Sequence, residues 1–348
     1  MNASEIQIFQ MEDKHESAYQ EFVRIHPESM FYHSLEYLYF LRKILGAELY
    51  VIIAAHVDRK ILGVLPAMRK EGAMGFVYNS LPFYGSNGGI LTTSDAIATR
   101  LIQEWNSHTS KPEVLSATII GNPLAKTDLS QRVTHNLTDF RIGQFTEIAY
   151  ANHHAEQLME SFHSKTRNMV RKGQKQGFTF SIENDSVDFL REVHQENMSA
   201  VGGRAKSNDF FENVSAYFKA NTNYRIWVAR HNGEPVSAML LFYYRDMVEY
   251  YTPVIRATWR DRQPLSMLIF EAMCDASKRG YRLWNWGGTW ATQDGVYLFK
   301  KRWGARDCNY TYYIRINDER LYMTPRKTLL WEYPNFFVIP FNLLKGTN

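Results

Sequence analysis

The 348-residue sequence predicts an α+β fold in which one structural unit occurs twice. Short apolar runs separated by polar turns predict an antiparallel meander of three strands, and the same order of runs and turns returns from Tyr224 onwards. The two copies align at an offset of 175 residues, which matches Ala54 with Ala229 and Ile61 with Val236 without a gap. A helix and one further strand follow each meander.

The first copy opens with the predicted strands Glu48–His56, Ile61–Met68 and Ala73–Tyr78. A helix is expected at Asp95–Asn106, because Ser94 can cap its first turn and apolar residues repeat at helical spacing on one face. The strand Val114–Ile120 completes this copy.

The second copy has the predicted strands Tyr224–Arg230, Pro235–Tyr244 and Met247–Thr252. Its helix begins at Pro264, since proline suits the first turn, and ends at Gly280. The strand Arg282–Trp286 follows.

The length of the chain suggests about two domains. The predicted first domain covers residues 1–145 and is completed by residues 318–348, because the apolar stretch Tyr333–Lys345 is expected to pack back on it. Residues 146–317 form the predicted second domain. A contact of the C-terminal stretch with a membrane surface is the alternative.

Composition excludes several classes of protein. A net charge of +4 is too small for a polycation that binds DNA through its overall charge, so any nucleic-acid contact requires a local patch. Two cysteines suit a reducing compartment, and the N-terminal residues lack the features of a secretory signal, so we expect a cytoplasmic protein. The longest apolar stretches reach about half of the ~20 residues needed to span a bilayer. No cluster has the spacing of a metal site.

One basic segment, His163–Gly177, places Arg167, Arg171 and Lys175 four residues apart, which forms a cationic stripe on a helix. Such a stripe is typical either of a solvated surface helix or of a surface that binds phosphates or RNA. The segment contains no acidic residue, and this favours a phosphate-rich partner.

Two glycine-containing segments predict close approach of the main chain to a ligand. Tyr84–Gly89 follows the first meander and could bind an anion or serve as a plain connection. In the second copy, Trp284–Trp290 surrounds a Gly pair with tryptophans, which indicates a lined cleft or the edge of a core. Glu249 is a possible base, although acids on strands more often face solvent.

These segments, together with Gly295–Gly304, resemble the FemABX family of tandem GNAT-fold acyltransferases. The family shows an Arg-Asn-x-x-Arg-Lys-x-x-Lys-x-Gly signature and a Phe-Lys pair after a Gly-containing loop, and both occur here in that order. The resemblance is strongest over Lys165–Gly304. It implies two GNAT-like domains, each an antiparallel meander plus a helix and a strand.

The resemblance also implies a function, the transfer of an aminoacyl group from aminoacyl-tRNA to a primary amine of a peptidoglycan-type precursor. Lys300 would stabilise the charge on the attacked ester and is the predicted catalytic residue. The predicted donor-binding residues are Phe299, Gly287, Gly288, Arg167, Arg171 and Lys172. The predicted acceptor-binding residues are Arg42, Tyr84, Gly85 and Asn87.

The partners implied are tRNA as a co-substrate, the cell-envelope precursor and a peripheral contact with the inner face of the membrane, with no DNA and no tightly bound cofactor. One alternative is an acyl-CoA-dependent N-acyltransferase acting on an amino sugar or polysaccharide. The pyrophosphate loop of ordinary GNAT proteins is missing before Pro264, which counts against acetyl-CoA. A second alternative is a non-catalytic tandem GNAT that binds RNA or an envelope partner.

Overall fold

The computed structural model describes residues 5–83, 88–149, 155–290 and 292–345. The chain forms two units: unit 1 comprises Met1–Arg141 and Asn309–Asn348, and unit 2 comprises Ile142–Cys308. The observed boundaries fall within the strands Leu137–Glu147 and Arg306–Ile316. The predicted boundary after residue 145 lies in the first of these strands, and the one after residue 317 lies directly after the second.

The elements up to the first boundary are β1 (Ile6–Gln10), α1 (Glu16–Ile25), α2 (Leu35–Leu45), β2 (Glu48–Leu49), β3 (Ile52–His56), β4 (Ile61–Leu65), β5 (Met68–Gly72), β6 (Gly75–Ser80), β7 (Leu91–Thr92), α3 (Asp95–Thr109), β8 (Val114–Ile120) and β9 (Leu137–Glu147). The elements that follow are α4 (Ala155–Ser161), α5 (Ser164–Gln174), β10 (Thr179–Ile182), α6 (Val187–Ala200), α7 (Asn208–Tyr217), β11 (Tyr224–His231), β12 (Glu234–Tyr244), β13 (Met247–Ile255), α8 (Pro264–Lys278), β14 (Leu283–Trp290), α9 (Asp294–Lys301), β15 (Arg306–Ile316) and α10 (Arg326–Glu332). Among the described residues, no helix is long and apolar enough to cross a bilayer.

Unit 1 contains two sheets, with the strand orders β1-β3-β4-β7 and β15-β8-β6-β5-β2. The first meander therefore differs from the prediction, because the runs Glu48–His56 and Ile61–Met68 are each divided between the two sheets. Pro66 lies between β4 and β5 and has no N–H to donate to a ladder, so the chain leaves the first sheet there.

The core of unit 1 forms between these strands and α3. Ser94 caps α3 by accepting a hydrogen bond from the Ile97 N–H, as the sequence predicts. The apolar face of α3 is buried, with Leu101 and Trp105 inside the core. The C-terminal segment also contacts unit 1, since the Asn79 side chain bonds both main-chain groups of Phe337.

Unit 2 contains one sheet with the strand order β10-β11-β12-β13-β14-β9. Strands β10 to β13 pair antiparallel, and β13 pairs with β14 in parallel. Helix α8 begins at Pro264 and packs against β11, β12 and β13. Cys274 of α8 is buried in this core.

The hairpins β3–β4 and β11–β12 carry a register shift at the same aligned position, between Ala54 and Ala55 in unit 1 and between Ala229 and Arg230 in unit 2. The gap-free alignment does not continue past the turn that joins the two strands of each hairpin. Ala54 pairs with Gly63, whereas Ala229 pairs with Ser237. The turn in unit 2 is one residue shorter because Asn232 and Gly233 both adopt positive φ, the geometry of a tight two-residue hairpin turn.

Candidate active site

The candidate site of unit 2 lies where the pairing of β13 and β14 stops. The ladder comprises three pairs and ends at Glu249 opposite Asn285, although β13 continues to Ile255 and β14 to Trp290. On its other edge β13 pairs with β12 through a register shift that leaves Tyr251 as an extra residue. A bulge of this kind bends its strand, which accounts for the end of the ladder.

Lys300 lies in the last turn of α9 and binds the final residues of β14. Its Nζ donates hydrogen bonds to the carbonyl oxygens of Gly287 at 3.2 Å and Gly288 at 3.1 Å, and to Thr289 Oγ1 at 2.8 Å. The positive φ of Gly287 turns the chain at this point. Lys300, Gly287 and Gly288, which lie within one sequence motif, also lie in one cluster of the structure.

The ammonium group of Lys300 is almost removed from water, with 7% of the residue exposed. Burial lowers the pKa of Lys300 from 10.5 to about 8, because a charged group loses solvation in the interior. Among the described residues, no carboxylate makes an ion pair with Lys300 that would raise its pKa again. Lys300 is thus a buried cation at neutral pH whose partners are all neutral oxygens.

A chain of buried polar groups continues from Thr289 away from Lys300. The Thr289 hydroxyl donates to Gln144 Oε1 at 3.2 Å, and Gln144 Nε2 lies 3.3 Å from the carbonyl oxygen of Tyr297 and 3.5 Å from Asp307 Oδ1. Thr289 and Gln144 are fully buried. Gln144 is 145 residues from Thr289 and was not predicted as a site residue, whereas Thr289 directly follows the predicted glycine pair.

A second chain of hydrogen bonds connects the same glycine pair to Glu249. Asn285 accepts a hydrogen bond from the Gly287 N–H at 2.8 Å and donates to Glu249 Oε1 at 3.1 Å. Glu249 is 1% exposed, in contrast to the expectation that an acid on a strand faces solvent. The last residue pair of the β13–β14 ladder is thus a buried carboxylate and the amide that bonds to it.

Phe299 precedes Lys300 and packs into a group of tryptophans. Its ring centroid lies 5.8 Å from that of Trp286 and 6.4 Å from that of Trp303. Trp286 is oriented by a hydrogen bond from its Nε1 to Thr146 Oγ1 at 2.8 Å. Phe299 is half-buried, so its ring both packs on the core and lines the surface next to Lys300.

The predicted cations Arg167 and Arg171 lie on α5 and line a cavity of about 660 Å³ between α4, α5 and α8. Glu156 and Glu160 of α4 line the same cavity, so the acids missing from the segment His163–Gly177 come from the preceding helix. Arg167 also donates to the Phe162 carbonyl oxygen. Lys165, Arg171 and Lys172 are exposed on α5, and the exposed Lys175 directly follows this helix.

The predicted acceptor residues are not tested by this geometry. Arg42 lies on α2 of unit 1, where its guanidinium stacks 4.5 Å from the ring centroid of Tyr39. Tyr84, Gly85 and Asn87 lie outside the described residues. Their roles stay predictions.

The arrangement around Lys300 suits the stabilisation of a negatively charged oxygen. A fixed cation in a site of low dielectric stabilises an oxyanion more strongly than the same cation in water. The β13–β14 ladder ends beside this cluster, at Glu249 and Asn285. These features fit chemistry at an ester or thioester carbonyl.

Comparison with known proteins agrees with this geometry. Residues 160–301 match the family model described as an acetyltransferase (GNAT) domain. The crystal structure of FemX aligns with a TM-score of 0.67 at 15% identity, covering 91% of this chain and 98% of FemX. A comparison with curated proteins finds no match.

Two further structures show the same fold. One is the C-terminal domain of a putative lysylphosphatidylglycerol synthetase from Agrobacterium fabrum, with a TM-score of 0.55 at 11% identity and coverage of 88% of this chain and 92% of that one. The other is a tandem GNAT protein from the clavulanic acid biosynthesis pathway, with a TM-score of 0.52 at 10% identity and coverage of 90% and 99%. The chain therefore has a tandem GNAT fold similar to that of FemX, and residues 160–301 match a GNAT acetyltransferase domain.

Proposed function

We propose that this acyltransferase moves an aminoacyl group from aminoacyl-tRNA to a primary amine of a cell-envelope precursor. The observation that carries the proposal is the buried Lys300 ammonium, held only by neutral oxygens at the end of the β13–β14 ladder. The resemblance to FemX and to a protein named lysylphosphatidylglycerol synthetase supports an aminoacyl donor and an envelope acceptor.

The reaction is the aminolysis of an ester. The nitrogen of the neutral amine forms a bond to the ester carbon, and the carbonyl oxygen becomes the oxyanion of a tetrahedral intermediate. The bond from carbon to the ribose oxygen then breaks, the carbonyl reforms, and the ribose oxygen leaves as a hydroxyl group with the proton lost by the amine. Lys300 would stabilise the oxyanion, a contribution on the order of 3 kcal/mol. Glu249 is our candidate for the group that first accepts the proton of the amine.

The charge on α5 supports RNA as the carrier of the donor. Lys165, Arg171 and Lys172 are exposed on this helix and Lys175 is exposed directly after it. Exposed cations close together suit the phosphate backbone of a nucleic acid. We expect charge-reversing substitution of Lys172 to weaken the binding of charged tRNA and to reduce its dependence on salt.

The entry to α8 offers little support for a CoA pyrophosphate. Residues Ala257–Arg262 form a short 3-10 helix, and Gln263 occupies the position of positive φ directly before Pro264. Gly173 of α5 also approaches this corner so closely that a Cβ there would lie 3.0 Å from the Gln263 carbonyl oxygen. An acyl-CoA donor remains the second candidate, because the matching family model is described as an acetyltransferase domain.

The donor is tested by supplying each class separately to the full chain. Isotope-labelled aminoacyl-tRNA and acyl-CoA are incubated with a peptidoglycan precursor or an amino sugar, and the transfer of label is followed by mass spectrometry. We expect labelled precursor from aminoacyl-tRNA. Transfer from acyl-CoA alone would replace the proposal with the second candidate.

Lys300→Met tests the site within the same assay, and Lys278→Met, an exposed lysine at the end of α8, is the matched control. We expect Lys300→Met to lose about 100-fold or more in turnover at saturating donor, and Lys278→Met to keep it. Full turnover by Lys300→Met would show that Lys300 has no part in the reaction.

A further inference from the structure

Each of the three N–H groups of the Lys300 ammonium has a hydrogen-bond acceptor within unit 2. Two of them point at the carbonyl oxygens of Gly287 and Gly288, and the third points at Thr289 Oγ1. An ammonium has three donors and no acceptor, so Lys300 must release one of these bonds before it can donate to the oxyanion of a substrate.

The contact with Thr289 is the shortest of the three, at 2.8 Å against 3.1 and 3.2 Å for the carbonyl oxygens. Both glycine carbonyls lie in the turned end of β14. A Cβ added to Gly287 would have no atom within 4 Å. Thr289, in contrast, is fully buried and bonded on its other side. Geometry therefore favours Thr289 as the partner that Lys300 keeps.

The direction of the hydrogen bonds at Thr289 follows from groups further along. A main-chain carbonyl can only accept, so the Gln144 amide presents Nε2 to the Tyr297 carbonyl oxygen and Oε1 to Thr289. The Thr289 hydroxyl must then donate to Gln144. This leaves a lone pair of Thr289 Oγ1 directed at the Lys300 ammonium.

We propose that Thr289, oriented by Gln144, is a positioning residue that holds the Lys300 ammonium while one N–H turns from a glycine carbonyl to the substrate oxyanion. This inference rests on the proposed role of Lys300 in acyl transfer. It adds two residues to the site, one of which lies on β9, far away in the sequence.

The test compares Thr289→Val, which keeps the shape of the side chain but removes the hydroxyl, with Thr289→Ser, which keeps the hydroxyl. We expect Thr289→Val to lower kcat about 10-fold or more with little change in the KM for the donor, and Thr289→Ser to stay within about threefold of the wild type. Gln144→Leu should fall between them, because Thr289 keeps its oxygen but loses its orientation.

A readout that needs no donor separates this inference from the proposed function. The readout is the free energy of unfolding, measured at several pH values with and without the Lys300→Met substitution. The pH at which the two curves begin to diverge gives the pKa of Lys300 in the folded protein. Loss of an oxygen that accepts from the ammonium should lower the pKa of Lys300 by about one unit in Thr289→Val and leave it unchanged in Thr289→Ser.

Three results would overturn the inference: an unchanged pKa of Lys300 in Thr289→Val, a shifted pKa with wild-type kcat, or equal losses in the valine and serine variants. The last result would point to packing instead of the hydroxyl. If the wild type transferred only from acyl-CoA, the proposed donor would fail, and the same kinetic comparison would be made with that donor.

Discussion

The buried ammonium of Lys300 predicts a specific dependence of folding stability on pH. In the folded protein its pKa is about 8, because burial disfavours the charged form, against 10.5 for an exposed lysine. Below pH 8 Lys300 is protonated in both the folded and the unfolded protein, so the free-energy cost of burying its charge is constant. Between pH 8 and 10.5 only the unfolded state holds it, so stability rises with pH. Above pH 10.5 neither state holds it and the rise ends.

The size of this effect follows from the shift of about 2.5 pKa units. Each unit corresponds to 1.36 kcal/mol, so Lys300 accounts for a gain of about 3 kcal/mol in the free energy of unfolding between pH 8 and 10.5. Lys300→Met has no titrating group at this position and should lack that gain.

The measurement is urea unfolding at several pH values from 7 to 10.5, for the wild type, Lys300→Met and the exposed control Lys278→Met. Every other group is the same in the wild type and in Lys300→Met, so the difference between these two curves isolates Lys300. We expect the wild type and the control to rise together, and the Lys300→Met curve to lack about 3 kcal/mol of that rise. Parallel curves for all three proteins would refute the reasoning that Lys300 is buried as a cation.

Two further predictions concern stability. Gly304→Ala should cost at least about 1 kcal/mol more stability than Gly177→Ala. Both glycines have positive φ, but of the two only Gly304 would bring its new Cβ against another atom, the Ser161 carbonyl oxygen at 2.9 Å. Equal losses of stability in urea unfolding would contradict this. The hydrogen bonds from Arg230 lower the pKa of Glu183 from 4.5 to about 2, so the ion pair stabilises the fold above pH 4.5, and this is lost as the pH falls towards 2. As the pH falls from 4.5 to 2, the free energy of unfolding of Glu183→Gln should therefore decrease by about 2 kcal/mol less than that of the wild type, as measured by acid unfolding.

Much of the fold could be predicted from local patterns along the chain. Ser94 and Pro264 mark the starts of α3 and α8 because capping and the missing N–H of proline act on neighbouring residues. The division of the first meander between two sheets was not predicted, since an apolar run is equally compatible with one strand or two. Pro66 was the local signal that could have indicated it.

The site was predictable only where its parts are close in sequence. Phe299, Lys300 and the glycine pair lie within 14 residues, and one motif includes them all. Gln144 joins the site through the pairing of β9 with β14, and no pattern in one sequence records such a contact between distant strands.

The early end of the β13–β14 ladder has a consequence for how specificity can arise. Among the described residues, the facing edges of the two strands do not form a ladder with each other beyond Glu249 and Asn285. An unpaired strand edge presents N–H and C=O groups to which an extended chain can bond. When a chain binds along a strand edge, main-chain hydrogen bonds give affinity, and pockets for alternate side chains give specificity. Discrimination between ligands must then come from the side chains that form such pockets, and altered specificity should be sought in those side chains.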